Sequence, residues 1–186
     1  MDRASAHLIF FLLSLIAVAA DRYNYLSQDE KDRKLLHASL HGHTEIALAL
    51  LAAGANKDAK NNYGSTALTL ACCYGHTETA QALLTAGAGK DTKNNMGNTA
   101  LIRASTNGQT ETAQALLTAG ADPNATNNCG RDALICARIK GHTDIVAMLA
   151  RTVMAALRIH RFWRDVCYNL NYVKARNHVL KEAGFK

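Results

Sequence analysis

The sequence predicts an all-α solenoid of stacked helix pairs, and three observations predict it. Gly42-His43-Thr44-Glu45 returns as Gly75-His76-Thr77-Glu78, as Gly108-Gln109-Thr110-Glu111 and as Gly141-His142-Thr143-Asp144, each 33 residues on. A fixed period of that size marks a stack of repeated supersecondary units. Between these markers apolar residues recur three and four apart, the spacing that lines one face of a helix. The chain is 48% hydrophobic but only 6% aromatic, so short Ala and Leu side chains let helix pairs approach closely.

Each copy opens on a turn. Asn62-Tyr63-Gly64-Ser65-Thr66-Ala67-Leu68 aligns with Asn95-Met96-Gly97-Asn98-Thr99-Ala100-Leu101 and with Asn128-Cys129-Gly130-Arg131-Asp132-Ala133-Leu134. The glycine permits a sharp turn, and Thr66, Thr99 and Asp132 suit the N-cap, where a side-chain oxygen accepts from an orphan backbone N–H. A first helix runs from there to Gly75, Gly108 or Gly141. A second begins at the Thr-Glu or Thr-Asp pair, whose carboxylate sits well at the positive end of the helix dipole. It carries Ile46, Ala47, Leu50 and Leu51 in one copy and Ala80, Leu83 and Leu84 in the next, expected to share one face. Gly54, Gly87 and Gly120 stop it, and a polar loop such as Asn56 to Asn62 leads onward.

Turn, helix, helix and loop in this order resemble the ankyrin repeat. The residues that carry the resemblance are Gly64-Ser65-Thr66-Ala67-Leu68, Leu70-Ala71, Gly75-His76-Thr77-Glu78, Leu83-Leu84 and Ala86-Gly87-Ala88, with Ala121-Asp122-Pro123-Asn124-Ala125 completing the third copy. The resemblance covers residues 28–151 in four copies (28–61, 62–94, 95–127 and 128–151), the first and last degenerate. It implies an ankyrin-repeat solenoid of helix-turn-helix pairs, closed here by a C-terminal capping helix. Ala67, Ala100 and Ala133 stand where the family usually has proline, and alanine is a good helix former. Arg103 takes a position that Leu70 and Cys136 fill in the neighbouring copies. Lys31, Arg33 and Lys34 replace the turn and cap of the first copy, in keeping with a terminal repeat whose outer face meets water.

Neither end of the chain follows the period. Residues 1–20 place Arg3 before Leu8-Ile9-Phe10-Phe11-Leu12-Leu13 and a small-residue ending at Ala19-Ala20, which reads as a signal peptide cut before Asp21. Residues 21–27 then form a short linker. Secretion, or entry to a periplasmic or secretory-pathway lumen, is the expectation; an uncleaved N-terminal anchor and an apolar helix packed on the first copy are the alternatives. At the other end Thr152-Val153-Met154 replaces the Ala-Gly-Ala stop, so the last helix is expected to continue as a basic amphipathic extension over 152–186. Arg158, Arg161, Arg164, Lys174 and Arg176 alternate there with Leu157, Phe162, Val166 and Leu170. Such a segment caps the stack, or meets an anionic membrane surface or an acidic partner.

The net charge of +6 lies in Arg151 and that extension. Residues 1–150 hold 13 basic and 13 acidic side chains, and residues 151–186 hold 8 and 2. A general nucleic-acid surface on the repeats is therefore not indicated. Five cysteines leave one unpaired in any disulfide scheme. Cys72 and Cys73 lie two copies from Cys136, and helices stacked about 10 Å apart exceed the roughly 7 Å that a disulfide allows between Cα atoms. The cysteines are read as free thiols. Asn124-Ala125-Thr126 fits the N-glycosylation sequon.

Chemistry-bearing residues repeat with the scaffold. His43, His76 and His142, like Glu45, Glu78, Glu111 and Asp144, are in register and so belong to each repeat rather than to one constellation. His37 and His41 lie four apart but lack a Cys or carboxylate partner for a metal. No phosphate loop, dinucleotide fingerprint or nucleophile elbow is present. The expectation is a monomeric non-enzyme without metal, cofactor or nucleic acid, which binds a protein.

The copies also differ from one another informatively. Thr77 to Ala88 is copied unchanged at Thr110 to Ala121, yet Cys72-Cys73-Tyr74 faces Ser105-Thr106-Asn107, and Tyr63 faces Met96 and Cys129. In the ankyrin family the turn tips and the ends of the first helices line the concave face that touches partners. By the resemblance, the matching strip is Leu40 and His41; Tyr63, Ser65, Cys73 and Tyr74; Met96, Asn98, Thr106 and Asn107; and Cys129, Arg131, Ile139 and Lys140.

Overall fold

The computed structural model describes the backbone of residues 16–156 and the side chains of residues 16–152. The start of the expected signal peptide, Cys167 and the basic run from Arg158 through Arg161, Arg164 and Lys174 to Arg176 lie outside the described residues. Residues 16–21 are helical. Four helix pairs follow: α1 (Gln28–His41) with α2 (Thr44–Ala52), α3 (Ala67–Tyr74) with α4 (Thr77–Thr85), α5 (Ala100–Thr106) with α6 (Thr110–Thr118), and α7 (Ala133–Lys140) with α8 (Thr143–Ala156). Among the described residues there is no strand, only an isolated antiparallel bridge between Lys60 and Thr66 in one turn.

The caps follow the sequence closely. Thr66, Thr99 and Asp132 each accept from the backbone N–H three residues on. The first copy differs, because α1 runs for 14 residues and absorbs Lys31, Arg33 and Lys34 into its first turns. Its cap lies further back, at Ser27, whose side chain accepts from the N–H of Glu30 while the Glu30 carboxylate accepts from the N–H of Ser27. This reciprocal box satisfies two orphan donors and makes a preceding turn unnecessary. α8 is also 14 residues long, against nine in α2, α4 and α6, as the loss of its glycine stop predicts.

The chain divides into two compact units at the boundary between Val146 and Ala147. In the first, α1, α3, α5 and α7 pack in sequence as one layer, α2, α4 and α6 as a second, and α1, α3 and α5 each pack on the helix that follows them. The core repeats with the period: Leu35, Leu68 and Leu101, then Ala38, Ala71, Ala104 and Ala137, then Ala47, Ala80 and Ala113, then Leu50, Leu83 and Leu116 are all buried. Each buried leucine contributes roughly 1.5–3 kcal/mol, and the alanine rows let the layers close. Ile46, expected on the buried face of α2, is 39% exposed, while Ala49 is buried instead; the inward arc of α2 is centred on Ala47 and Leu50. Between second helices, Thr44 and Thr79 share a hydroxyl–hydroxyl bond of 2.8 Å, and Thr77 and Thr112 repeat it. Ile145 stands at the next such position.

In the second unit α8 continues as regular helix, with Thr152 Oγ1 donating to the carbonyl of Met148 at 3.1 Å. Among the described residues no helix is long and apolar enough to cross a membrane.

Candidate partner-binding strip

The turn tips are built by one asparagine per copy. Asn61 Oδ1 accepts from the backbone N–H groups of Tyr63 and Ser65, both at 3.0 Å. Asn94 does the same for Met96 and Asn98, and Asn127 for Cys129 and Arg131. Adjacent tips are then tied together, since the N–H of Asn95 donates to the carbonyl of Tyr63 and that of Asn128 to the carbonyl of Met96, each at 3.1 Å. The Asn95 and Asn128 side chains add parallel bonds to Asn62 and Asn95. The backbone beneath Tyr63, Met96 and Cys129 is thereby fixed before any partner arrives. A surface ordered in advance loses less entropy on binding.

The expected strip residues divide into two groups. Tyr63 is 77% exposed, Met96 67%, Ile139 57% and Tyr74 56%, and His41, Asn107, Cys129, Arg131 and Lys140 are exposed with them. The Tyr74 ring stacks on His76, centroids 6.3 Å apart. Ser65, Cys73 and Asn98 are buried, and Leu40 and Thr106 are half-buried. Their polar groups are engaged within the stack: Asn98 Oδ1 accepts from Asn127 Nδ2 at 3.0 Å, and Thr106 Oγ1 donates to the carbonyl of Ile102 at 2.7 Å. Ser65, Cys73 and Asn98 therefore present scaffold, while Leu40 and Thr106 keep part of their surface open.

Arg103 and Asn107 form a cluster that the sequence did not reveal. The Arg103 guanidinium donates to Cys73 Sγ at 2.9 Å, and Asn107 Nδ2 donates to the carbonyl of Cys73 at 2.8 Å and to its sulfur at 3.0 Å. The charged side chain in an apolar register position is thus explained by a polar sulfur one copy earlier. Arg138 is a second such departure. It occupies the register of Ser39, Cys72 and Ser105, all buried, yet is itself exposed. In both cases the visible signal is a cation at a position that is small or apolar in the adjacent copies, Leu70 and Cys136 for Arg103 and Ser105 for Arg138.

The four described cysteines, Cys72, Cys73, Cys129 and Cys136, are all free. Burial, with a smaller contribution from Cys73 beside it, pushes the Cys72 thiol well above its ordinary value. Burial also raises Cys136, opposed by its hydrogen bond with Thr106. His37 and His41 lie with ring centroids 4.5 Å apart, and His41 and His43 6.0 Å apart. Among the described residues no group of three or more His, Cys, Asp and Glu is arranged to hold a metal. A cavity of about 270 Å³ lies at the starts of α4 and α6, lined by Gly75, Gly108, Gln109, Glu111 and three threonines; it includes none of the strip residues.

A family model described as ankyrin repeats in three copies matches residues 35–127, half of the 186-residue chain. No curated protein matches the chain significantly. The matched segment runs from α1 through the loop after α6, and the helix pair beyond it keeps the same period, caps and turn. The chain belongs to the ankyrin-repeat family.

Proposed function

We propose that this chain is a non-catalytic module that binds a protein partner through the turn tips and the last turns of its first helices. Ankyrin repeats are generally protein–protein interaction modules, and the family is typically non-catalytic. The observation that carries the reading is where large apolar side chains meet water. Val18, Tyr25, Ile46, Tyr63, Tyr74, Met96 and Ile139 are the large hydrophobics exposed among the described residues, and the last four all stand on one rail of hydrogen-bonded turns and first-helix ends. Aromatic and methionine side chains are the groups that interfaces enrich, and here the backbone that carries them is already rigid.

The partner is met outside the cytosol in this reading, which the apolar run and small-residue ending of residues 1–20 support. N-terminal sequencing of the mature protein tests that part, with Asp21 as the expected first residue and a retained Met1 as the contrary result. Binding itself is tested by affinity capture with Tyr63→Ala, Tyr74→Ala and Met96→Ala combined. A bound protein lost from the triple variant, with circular dichroism unchanged, supports the strip; one retained at full yield refutes it.

A further inference from the structure

Residues 61–146, the second to fourth copies within the first compact unit, carry six basic and six acidic side chains, and these are not mixed. The turns and first helices (61–76, 94–109 and 127–142) hold Arg103, Arg131, Arg138 and Lys140 against one carboxylate, Asp132. The second helices and loops hold Glu78, Asp91, Glu111, Asp122 and Asp144 against Lys90 and Lys93. Four positive against one negative, and five negative against two positive, leave the two sets of segments at +3 and −3. The neutrality of the repeats is therefore a cancellation between two kinds of segment, the second helices contributing Glu78, Glu111 and Asp144 with no cation while Asp91 and Asp122 in the loops are balanced by Lys90 and Lys93. Asp132 is moreover engaged as a helix cap, its Oδ1 accepting from the N–H of Ile135 at 2.7 Å.

We infer that the strip takes an acidic polypeptide segment, one with carboxylates beside aromatic or aliphatic residues. This rests on the protein-binding reading above and adds the chemistry of the partner. Tyr63, Tyr74 and Met96 give the strip an uncharged apolar end in the second and third copies, and Arg131 and Lys140, both exposed, give it a cationic end in the fourth. A segment whose apolar side chains sit on the first and whose carboxylates reach the second is complementary along its length. Charge complementarity of this kind speeds encounter and rejects partners of the wrong sign. A segment as basic as the chain's own residues 152–186, with seven basic side chains and two acidic, meets like charge there. Nucleic acid fits less well, because the 61–76 stretch has no Lys or Arg to neutralise phosphates, which supply most of nucleic-acid affinity.

Selection from a random peptide library on the full chain tests this, with clones then screened against the Tyr63→Ala, Tyr74→Ala, Met96→Ala variant. The expected result is strip-dependent peptides enriched in Asp and Glu, weakened about tenfold or more by Arg131→Glu with Lys140→Glu. Glu78→Lys with Glu111→Lys, on the other helix layer, is expected to change affinity by less than about threefold. Circular dichroism and melting of each variant confirm that it is folded. Strip-dependent peptides that are neutral or basic overturn the acidic partner and leave the protein-binding reading standing, whereas recovery of no strip-dependent peptide overturns both. Acidic peptides that lose affinity with Arg158→Glu, Arg161→Glu and Arg164→Glu but not with the strip pair also overturn the inference. So does single-stranded oligo(dT) that competes fully for the strip.

Discussion

The Nε2 atom of His76 lies 3.1 Å from the carbonyl oxygen of Leu40, in the copy before it. A carbonyl only accepts, so the imidazole donates from Nε2 and satisfies one of the carbonyls that a helix leaves unpaired at its C-terminal end. His142 makes the same contact to Thr106, also at 3.1 Å. The ring also occupies the space over Gly42, where a Cβ would stand 2.5 Å from its Nδ1. Glycine and histidine are two halves of one joint between copies.

Breaking either half destabilises the stack. His76→Ala removes the donor and leaves a gap, and is expected to cost about 1–3 kcal/mol. Gly42→Ala meets the ring and also forces an alanine to φ 71°, so it is expected to cost about 2–4 kcal/mol. Chemical denaturation midpoints of the two variants measure both.

The third copy lacks this histidine and has a substitute. Gln109 stands in its place, and the carbonyl in the equivalent register, that of Cys73, accepts from Asn107 Nδ2 at 2.8 Å instead. Asn107→Ala is therefore expected to cost about 1–2 kcal/mol, and Gln109→His in the same chain to recover part of the loss. A double-mutant cycle on melting temperature reads the coupling; strict additivity of the two changes would refute it.

Ser39 and Ser105 offer the opposite effect. Both hydroxyls are fully buried and have no hydrogen-bond partner. Burying an unpaired polar group costs about 1–3 kcal/mol, and the neighbouring rows show that alanine packs well in these layers. Ser39→Ala and Ser105→Ala are each expected to stabilise by about 0.5–1.5 kcal/mol, measured by urea unfolding.

Thiol reactivity is expected to follow burial. Cys129 is exposed, whereas Cys72 is buried with its thiol pushed well above the ordinary range. A raised value means that Cys72 stays protonated, and so unreactive, as pH rises through the range where an ordinary thiol ionises. Iodoacetamide at pH 8 to 9 is expected to alkylate Cys129 rapidly and Cys72 only as the protein unfolds. Peptide mass mapping over time follows both.

The caps, glycine stops and four helix pairs were legible because each is a local rule copied three or four times. Thr66, Thr99 and Asp132 cap where their spacing said, and the unstopped last helix runs on to Ala156. What the sequence concealed is chemistry between copies, for which no local spacing rule exists. Asn61, Asn94 and Asn127 look like loop residues, yet each organises a turn tip. Arg103 looks like a packing fault until Cys73 is brought beside it. The strip was placed by position alone, so exposed Tyr63 and Met96 could not be separated from buried Ser65 and Asn98. The charge balance concealed segments of opposite sign, because summing along a chain ignores which element carries each charge.

The most direct test of the account is where a bound partner touches. A photoreactive phenylalanine analogue at Tyr74 samples the strip, and the same analogue at Gln81, exposed on α4, samples the other helix layer. With a captured partner present, irradiation is expected to cross-link it through position 74 and not through position 81. Cross-linking through position 81 alone would contradict the account and move the interface to the second helices.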